Sequence, residues 1–335
     1  MKYVLIDTAN MFFRARHVAF RAADLDEKVG YALHITLAAV NKVCQRFAAD
    51  HVIFALEGRS WRKDVYAPYK RNRAEARAAL TEAEQEEDRV FWETYDEFTK
   101  YLAGQTNCSV IRHERAEADD VIARWIALHP QDQHTIISSD TDFVQLIATN
   151  VDQYNGITDE LITTRGIFDA KGREVIDKKT KAAKTVPDPE WLLFEKCMRG
   201  DTSDNVFSAF PGVRTRGTKN KVGLQEAFAD RAAKGYAWNN LMLQRWTDHE
   251  GVEHRVLDDY NRNRSLIDLR AQPDEVKAYV DRAIREQISD RDIGQVGVRF
   301  MKFCGRYQLN RISEQADQFG RWMNATYKGV LDATG

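Results

Sequence analysis

Glu117-Ala-Asp-Asp120 and Ser138-Ser-Asp-Thr-Asp142 decide how this chain is read. Val121, Ile122, Trp125, Ile126 and Leu128 follow the first stretch at helical spacing, so it opens a helix. The dipole of a helix favours carboxylates in its first turn. Three acids in four residues is nevertheless more charge than a cap needs. The second stretch ends Thr135-Ile-Ile137, a short buried strand, and sets Asp140 and Asp142 two residues apart at its tip. Five carboxylates gathered there are tolerable with divalent cations between them, and hard oxygen donors suit Mg²⁺ or Mn²⁺. Each stretch alone reads equally well as a capped helix or a polar loop. Together they favour a metal site.

Working outward, Tyr3-Val-Leu-Ile6 is a buried strand that ends at Asp7, where open α/β sheets place ligands. Turn formation is the alternative role for Asp7. Residues 28–49 carry helical periodicity, and His51-Val-Ile-Phe-Ala-Leu56 is a second strand that also ends in an acid, Glu57. Alternating strands and helices predict an α/β fold with a parallel, doubly wound sheet. From Arg59 the chain turns basic: seven Lys/Arg face two acids over residues 59–77, with Trp61, Tyr66 and Tyr69 among them. Lysines and arginines neutralise phosphates, and aromatic faces stack on unpaired bases. The alternative is a solvated loop whose aromatics pack inward. An acidic helix over 81–102 follows, its Phe91, Tyr95, Phe98 and Leu102 stripe explained by core packing.

Beyond Asp142, Phe143-Val-Gln-Leu-Ile147 predicts a short helix, and residues 151–186 irregular strands and hairpins. Asp188 as N-cap and Pro189 at the first helical position start a helix that stops at Gly200. A further acid pair, Asp201 and Asp204, comes next. Then Arg216-Gly-Thr-Lys-Asn-Lys221 makes a glycine- and lysine-rich turn before a helix at Val222–Phe228. Helix, turn and helix would offer backbone N–H groups and Lys219 and Lys221 to a phosphate backbone. The tail from 229 reads as mostly helical, with His249 and His254 as ordinary surface residues.

Composition sets the bounds. The 335 residues are 43% hydrophobic and 30% charged, ordinary for a soluble globular protein of one large or two moderate domains. No apolar run reaches the roughly 18 residues of a membrane span. The first residues are too soon acidic for a signal peptide. Four scattered cysteines form no zinc or disulfide pattern, consistent with a cytoplasmic location, the host's if the chain is phage-encoded. A net charge of −2 argues against indiscriminate polyanion binding, although an average hides patches.

Asp7, Tyr69-Lys70-x-x-Arg73, Glu117-Ala-Asp-Asp120, Ser139-Asp-Thr-Asp142, and Gly200-Asp-Thr-Ser-Asp204-Asn with Pro211-Gly-Val213 occur in one order. In combination this order resembles the structure-specific 5′-nuclease family: flap endonucleases, the 5′-nuclease domain of bacterial DNA polymerase I, and phage 5′-exonucleases. The resemblance covers roughly residues 1–270. With no polymerase region attached, the stand-alone phage-like form is the nearest in type. It implies a PIN-like parallel-sheet core (residues 1–186) with a helical arch insertion at about 58–110. A helical region (187–335) would carry a helix–two-turn–helix motif.

By position, the resemblance assigns Asp7, Glu57, Glu117 and Asp119 to one metal ion. Asp140, Asp142, Asp201 and Asp204 fall to a second, with Asp120 adjacent. Lys70 and Arg73 are the implied catalytic cations near the scissile phosphate. Tyr69, Arg71, Arg216, Gly217, Lys219 and Lys221 are the expected DNA contacts. Glu57 departs from the family's usual Asp, the turn at 214–219 departs from its usual glycine pattern, and residues 230–255 are an insertion.

The implied cofactor is a pair of Mg²⁺ ions, with Mn²⁺ as substitute. Two such ions, about 4 Å apart, support in-line displacement at phosphorus. The implied substrates are 5′ ends and flaps of DNA or RNA–DNA hybrids. Replication proteins are candidate partners, no membrane is involved, and the chain is expected to be a monomer. A Mg²⁺-dependent small-molecule phosphatase and a non-catalytic DNA-binding protein are the alternatives.

Overall fold

The computed structural model describes residues 1–18, 24–288 and 291–331. The described chain divides into two compact units, residues 1–60, 80–186 and 274–335 forming one and 61–79 with 187–273 the other. This division departs from the sequence boundary in two places. Tyr69, expected within the arch of the core, is buried in the apolar core of the second unit. Phe300, Phe303, Phe319 and Trp322, expected in the helical region, are buried in the core of the first. In both cases apolar burial outweighs nearness in sequence.

A seven-stranded sheet organises the first unit, in the order β3-β2-β1-β4-β5-β6-β7. Its strands are β1 (Lys2–Asp7), β2 (His51–Ala55), β3 (Ser109–Ile111), β4 (Gln133–Ile137), β5 (Val151–Asn155), β6 (Glu160–Thr163) and β7 (Gly166–Phe168). β1 is central. Ile6 pairs in register with Phe54 on one side and with Ile137 on the other, and both pairings are parallel. The sheet is mixed rather than wholly parallel, because β6 and β7 run antiparallel to their neighbours. The four residues between β5 and β6 suffice for a hairpin and cannot make the crossover that parallel strands need.

Side chains alternate between the two faces, as strand geometry requires. Val4, Ile6, Val52, Phe54 and Ile137 bury against the helices Leu25–Phe47 and Glu82–Gln105. Tyr3 points to the other face, its ring 5.2 Å from that of Trp125 on helix Ala118–Leu128. The acidic helix carries Phe91, Tyr95, Phe98 and Leu102 inward as expected, and starts at a capping box of Thr81 and Glu84.

In the second unit, helix Pro189–Arg199 begins at Asp188, which accepts from the Glu190 and Trp191 N–H groups. It ends at Gly200, where φ is +77° and an added Cβ would lie 2.3 Å from Val206 O, so only glycine fits. The tail is not simply helical. After helix Tyr236–Met242 comes a hairpin of β8 (Arg245–Thr247) and β9 (Glu253–Arg255). Trp246 anchors it by donating from its indole nitrogen to Ala209 O at 2.9 Å. His254 is no plain surface residue: it is stacked on Trp246 and lies 3.1 and 3.0 Å from Asp248 and Asp259.

Candidate functional site

The site of the first unit is built from strand ends. β1 is flanked by β2 and β4, so the chain leaves it in opposite directions around the sheet, and open sheets bind ligands at such a switch point. Asp7 ends β1, Glu57 follows β2 by two residues, Glu117 follows β3, and Asp140 and Asp142 follow β4. Parallel pairing places all four strand ends on one edge. Asp7 is 4% exposed and accepts from Asn10 N at 3.2 Å and from Ser138 Oγ at 3.1 Å. Ser138 Oγ in turn accepts from Asp140 N at 3.1 Å, and Asp140 Oδ1 from Asp142 N at 2.9 Å. One hydrogen-bonded run thus links the ends of β1 and β4.

The β2 and β3 ends are joined through backbone. Gly58 N donates to Ala116 O at 2.8 Å, and Arg59 N donates to Glu114 O at 2.7 Å. A Cβ at Gly58 would sit 2.0 Å from His113 O, so this approach requires glycine. Glu117 is the N-cap of its helix and accepts from Ser60 Oγ at 2.6 Å. Asp119 is half-buried. Asp120, wholly buried, accepts from Glu117 N at 3.1 Å and so closes the first turn. Tyr95 is a neighbour the sequence reading assigned only to the core. Burial raises its phenol pKa, and the negative charges of Glu57 and Asp7 raise it further. Its buried hydroxyl has no hydrogen-bond partner.

These oxygen donors are of the kind that Mg²⁺ and Mn²⁺ take. As the side chains stand, however, no group of three or more His, Cys, Asp or Glu among the described residues is gathered closely enough to hold an ion. Ser60, Ser138 and the Asp142 and Glu117 N–H groups donate to the carboxylates of Glu117, Asp7, Asp140 and Asp120 respectively.

The second unit carries its own acid pair, Asp201 and Asp204. Asp204 receives the Tyr69 hydroxyl at 2.9 Å and the Arg73 guanidinium at 2.5 Å, with the Lys70 ammonium at 3.6 Å. Lys70 N also donates to Asp204 O at 2.8 Å. Lys70 is left-handed at φ +54° and precedes helix Arg71–Ala78. The predicted motif therefore closes onto one of the predicted acids. Asp201 is bound by Lys196 at 2.8 Å, a partner the sequence reading missed, and by the Ser203 hydroxyl at 2.7 Å. Burial alone would raise its pKa, but Lys196 and Ser203 together hold the carboxyl below its usual range. Arg62, part of the basic stretch, is buried and spends its Nε on Leu266 O at 2.7 Å. Arg71, Arg216, Lys219 and Lys221 are exposed.

The glycine turn differs from expectation in its backbone. Gly217 and Gly223 N–H groups both donate to Glu226 Oε2, and those of Thr218 and Lys221 pair with each other's carbonyls. These four donors are spent within the turn.

An α/β fold with a mostly parallel sheet sets the class of protein, and comparison with known proteins gives its family. The chain belongs to the 5′-3′ exonuclease family: residues 2–179 match its N-terminal resolvase-like domain. It is 30% identical over 226 residues to DNA polymerase I of Rhizobium leguminosarum, covering 65% of this chain and 18% of that protein. It is 33% identical over 157 residues to flap endonuclease Xni of Aeromonas hydrophila subsp. hydrophila, covering 44% and 53%. The chain thus spans under a fifth of the polymerase and about half of Xni.

Among solved structures, T5 5′-exonuclease with bound divalent metal ions (zinc) is similar, with TM-score 0.58 and 19% identity over 86% of this chain and 99% of that one. A bacteriophage T5 flap endonuclease complex with DNA and metal ions gives TM-score 0.57 and 20% identity, over 85% and 98%. At such identities the likeness is one of fold. No helix among the described residues is long and apolar enough to cross a membrane.

Proposed function

We propose that this protein is a Mg²⁺-dependent structure-specific 5′-nuclease, a 5′-3′ exonuclease and flap endonuclease acting in DNA replication or repair. Its substrates would be DNA with 5′ ends or flaps, RNA primers on DNA included. The observation that carries this reading is the row of acids at the ends of β1 to β4, in a chain whose family is that of 5′-3′ exonucleases.

In this reading Asp7, Glu57, Glu117, Asp119, Asp140 and Asp142 hold divalent cations, with Asp120 fixing the first helical turn beside them. Asp201 and Asp204 are proposed as metal ligands as well. The chemistry such cations supply is activation of water and stabilisation of charge on the phosphoryl oxygens. Ser60 and Ser138 orient Glu117 and Asp7 by donating to them. Lys70 and Arg73 are proposed to bind phosphoryl oxygens, releasing Asp204 as they do so; the guanidinium grips two oxygens and the ammonium acts as a point charge. The segment between β2 and β3 is proposed to carry the helical arch, and the region from residue 187 onward the helix–two-turn–helix element. Arg71, Arg216, Lys219 and Lys221 would meet phosphates there, while Tyr69 and Gly217 shape the backbone that presents them.

The test is a substrate panel in Mg²⁺: end-labelled flap, nicked and single-stranded DNA beside p-nitrophenyl phosphate. The proposal expects cleavage of 5′-ended duplex substrates to products with 5′-phosphate and 3′-hydroxyl termini. Hydrolysis of the small ester alone would assign a phosphatase. Binding without cleavage of any substrate would assign a silent DNA-binding protein.

A further inference from the structure

The turn at residues 214–223 carries exposed Arg214, Arg216, Lys219 and Lys221, yet the side chain that holds its two glycine amides is an acid on the following helix, Glu226. Glu226 Oε2 accepts from Gly217 N and from Gly223 N, each at 2.9 Å. The two glycines face one another so closely that neither tolerates a side chain. A Cβ on Gly217 would lie 2.5 Å from Lys221 O, and one on Gly223 would lie 2.4 Å from Gly217 N. Around this pair the tip is closed by Thr218 N to Lys221 O at 2.7 Å, and the base by Leu224 N to Arg214 O at 3.0 Å. Gln225 N adds a bond to Thr215 O at 2.9 Å. Between tip and base, Glu226 ties both glycine amides to the helix Leu224–Ala229.

We propose that Glu226 is a positioning residue for duplex DNA: its carboxylate holds the two glycine amides so that Lys219 and Lys221 are presented together to a phosphate backbone. The proposal rests on the reading of this turn as a DNA contact. Its own N–H first, then the Gly217 and Gly223 N–H groups and the Arg216 charge, keep the Glu226 carboxyl below its usual range, so it is anionic at neutral pH. An anion in a phosphate-binding surface is unfavourable by simple electrostatics, which gives the idea a distinctive sign. If only charge mattered, removing Glu226 would tighten binding to a polyanion. If Glu226 positions the turn, removing the acceptor weakens binding despite the more positive surface.

The experiment compares Glu226→Ala and Glu226→Gln in the full chain, using a labelled DNA duplex with a 5′ flap in Ca²⁺ at fixed salt. Glutamine removes the charge but keeps a carbonyl oxygen that can accept both amides. The expected result for Glu226→Ala is binding weakened by about three- to tenfold, the scale of one or two lost hydrogen bonds. Glu226→Gln binds as tightly as the parent or more tightly. Trypsin should cut after Lys219 or Lys221 faster in the alanine variant and at the parental rate in the glutamine variant.

Binding by Glu226→Ala at or above parental affinity overturns the proposal, and so does equal weakening in both variants. The double variant Lys219→Ala/Lys221→Ala separates the underlying reading. It should bind more weakly with a shallower salt dependence, because fewer counterions are released. An unchanged affinity and slope would remove the turn from the DNA footprint and the proposal with it. The trypsin comparison would then still report whether Glu226 holds the loop.

Discussion

Gly58→Ala tests whether the acids of the first unit are set by backbone contact. The added Cβ would meet three carbonyl oxygens, His113 O at 2.0 Å, Ala116 O at 2.7 Å and Glu114 O at 3.0 Å. All three belong to backbone, so no side-chain rotation relieves the clash and the two loops must separate. Forced overpacking costs about 1–3 kcal/mol. Separation also strains the bonds from Gly58 N and Arg59 N, each worth about 0.5–1.5 kcal/mol if lost. A destabilisation of about 3 kcal/mol is the working value, below the sum of those upper limits because relaxation is shared. Since Glu57 precedes Gly58 and Glu117 follows Ala116, Mn²⁺ affinity should fall together with stability. Urea unfolding and Mn²⁺ titration of the variant read both quantities. Gly104→Ala is the control, because nothing lies within 4 Å of its added Cβ. A Gly58→Ala loss below about 0.5 kcal/mol, the scale of an inert surface change, with parental Mn²⁺ affinity would refute the reasoning.

Two further outcomes follow from geometry and titration. Burial holds the His51 and His134 rings neutral, lowering their pKa values from 6.5 to about 4. A depressed histidine pKa contributes stability that is fully present above 6.5 and is lost as pH falls toward 4. At about 1.4 kcal/mol per pKa unit this is about 3 kcal/mol per ring, and a urea midpoint unchanged between pH 7 and pH 5 would contradict it. If the ammonium acts on transition-state charge as proposed, Lys70→Ala should slow single-turnover flap cleavage by at least about 10²-fold while the dissociation constant changes much less. Weakened binding with an intact single-turnover rate would make Lys70 a strand guide only.

Much of the frame was legible from periodicity. Val4 and Ile6 on one face and Tyr3 on the other are what alternation in a two-sided sheet demands, and Asp188-Pro189 marked its helix start. Antiparallel β6 and β7 were less visible, because short strands of intermediate burial carry no clear pattern. Asp7, Glu57, Asp140 and Asp142 were legible as acids after strands and Glu117 as the opening of a helix, whereas β3 before it, only three residues long, was not foreseen. The supports of these acids were not legible: Ser60, Ser138 and Gly58 act through tertiary contacts that leave no local signature. The pairing of Lys196 with Asp201 and the capture of glycine amides by Glu226 were hidden for the same reason. Neither spacing nor composition tells an exposed lysine from one already engaged.

The central claim is that carboxylates at one edge of the sheet work through divalent cations on a 5′-ended nucleic acid. Its most direct test is cleavage of a 5′-labelled flap duplex by the parent protein and by Asp142→Asn, in Mg²⁺ and in excess EDTA, with DNA binding measured alongside. The account predicts cleavage only by the parent and only with Mg²⁺, while Asp142→Asn still binds the duplex. Full cleavage in EDTA, or by Asp142→Asn in Mg²⁺, would contradict it.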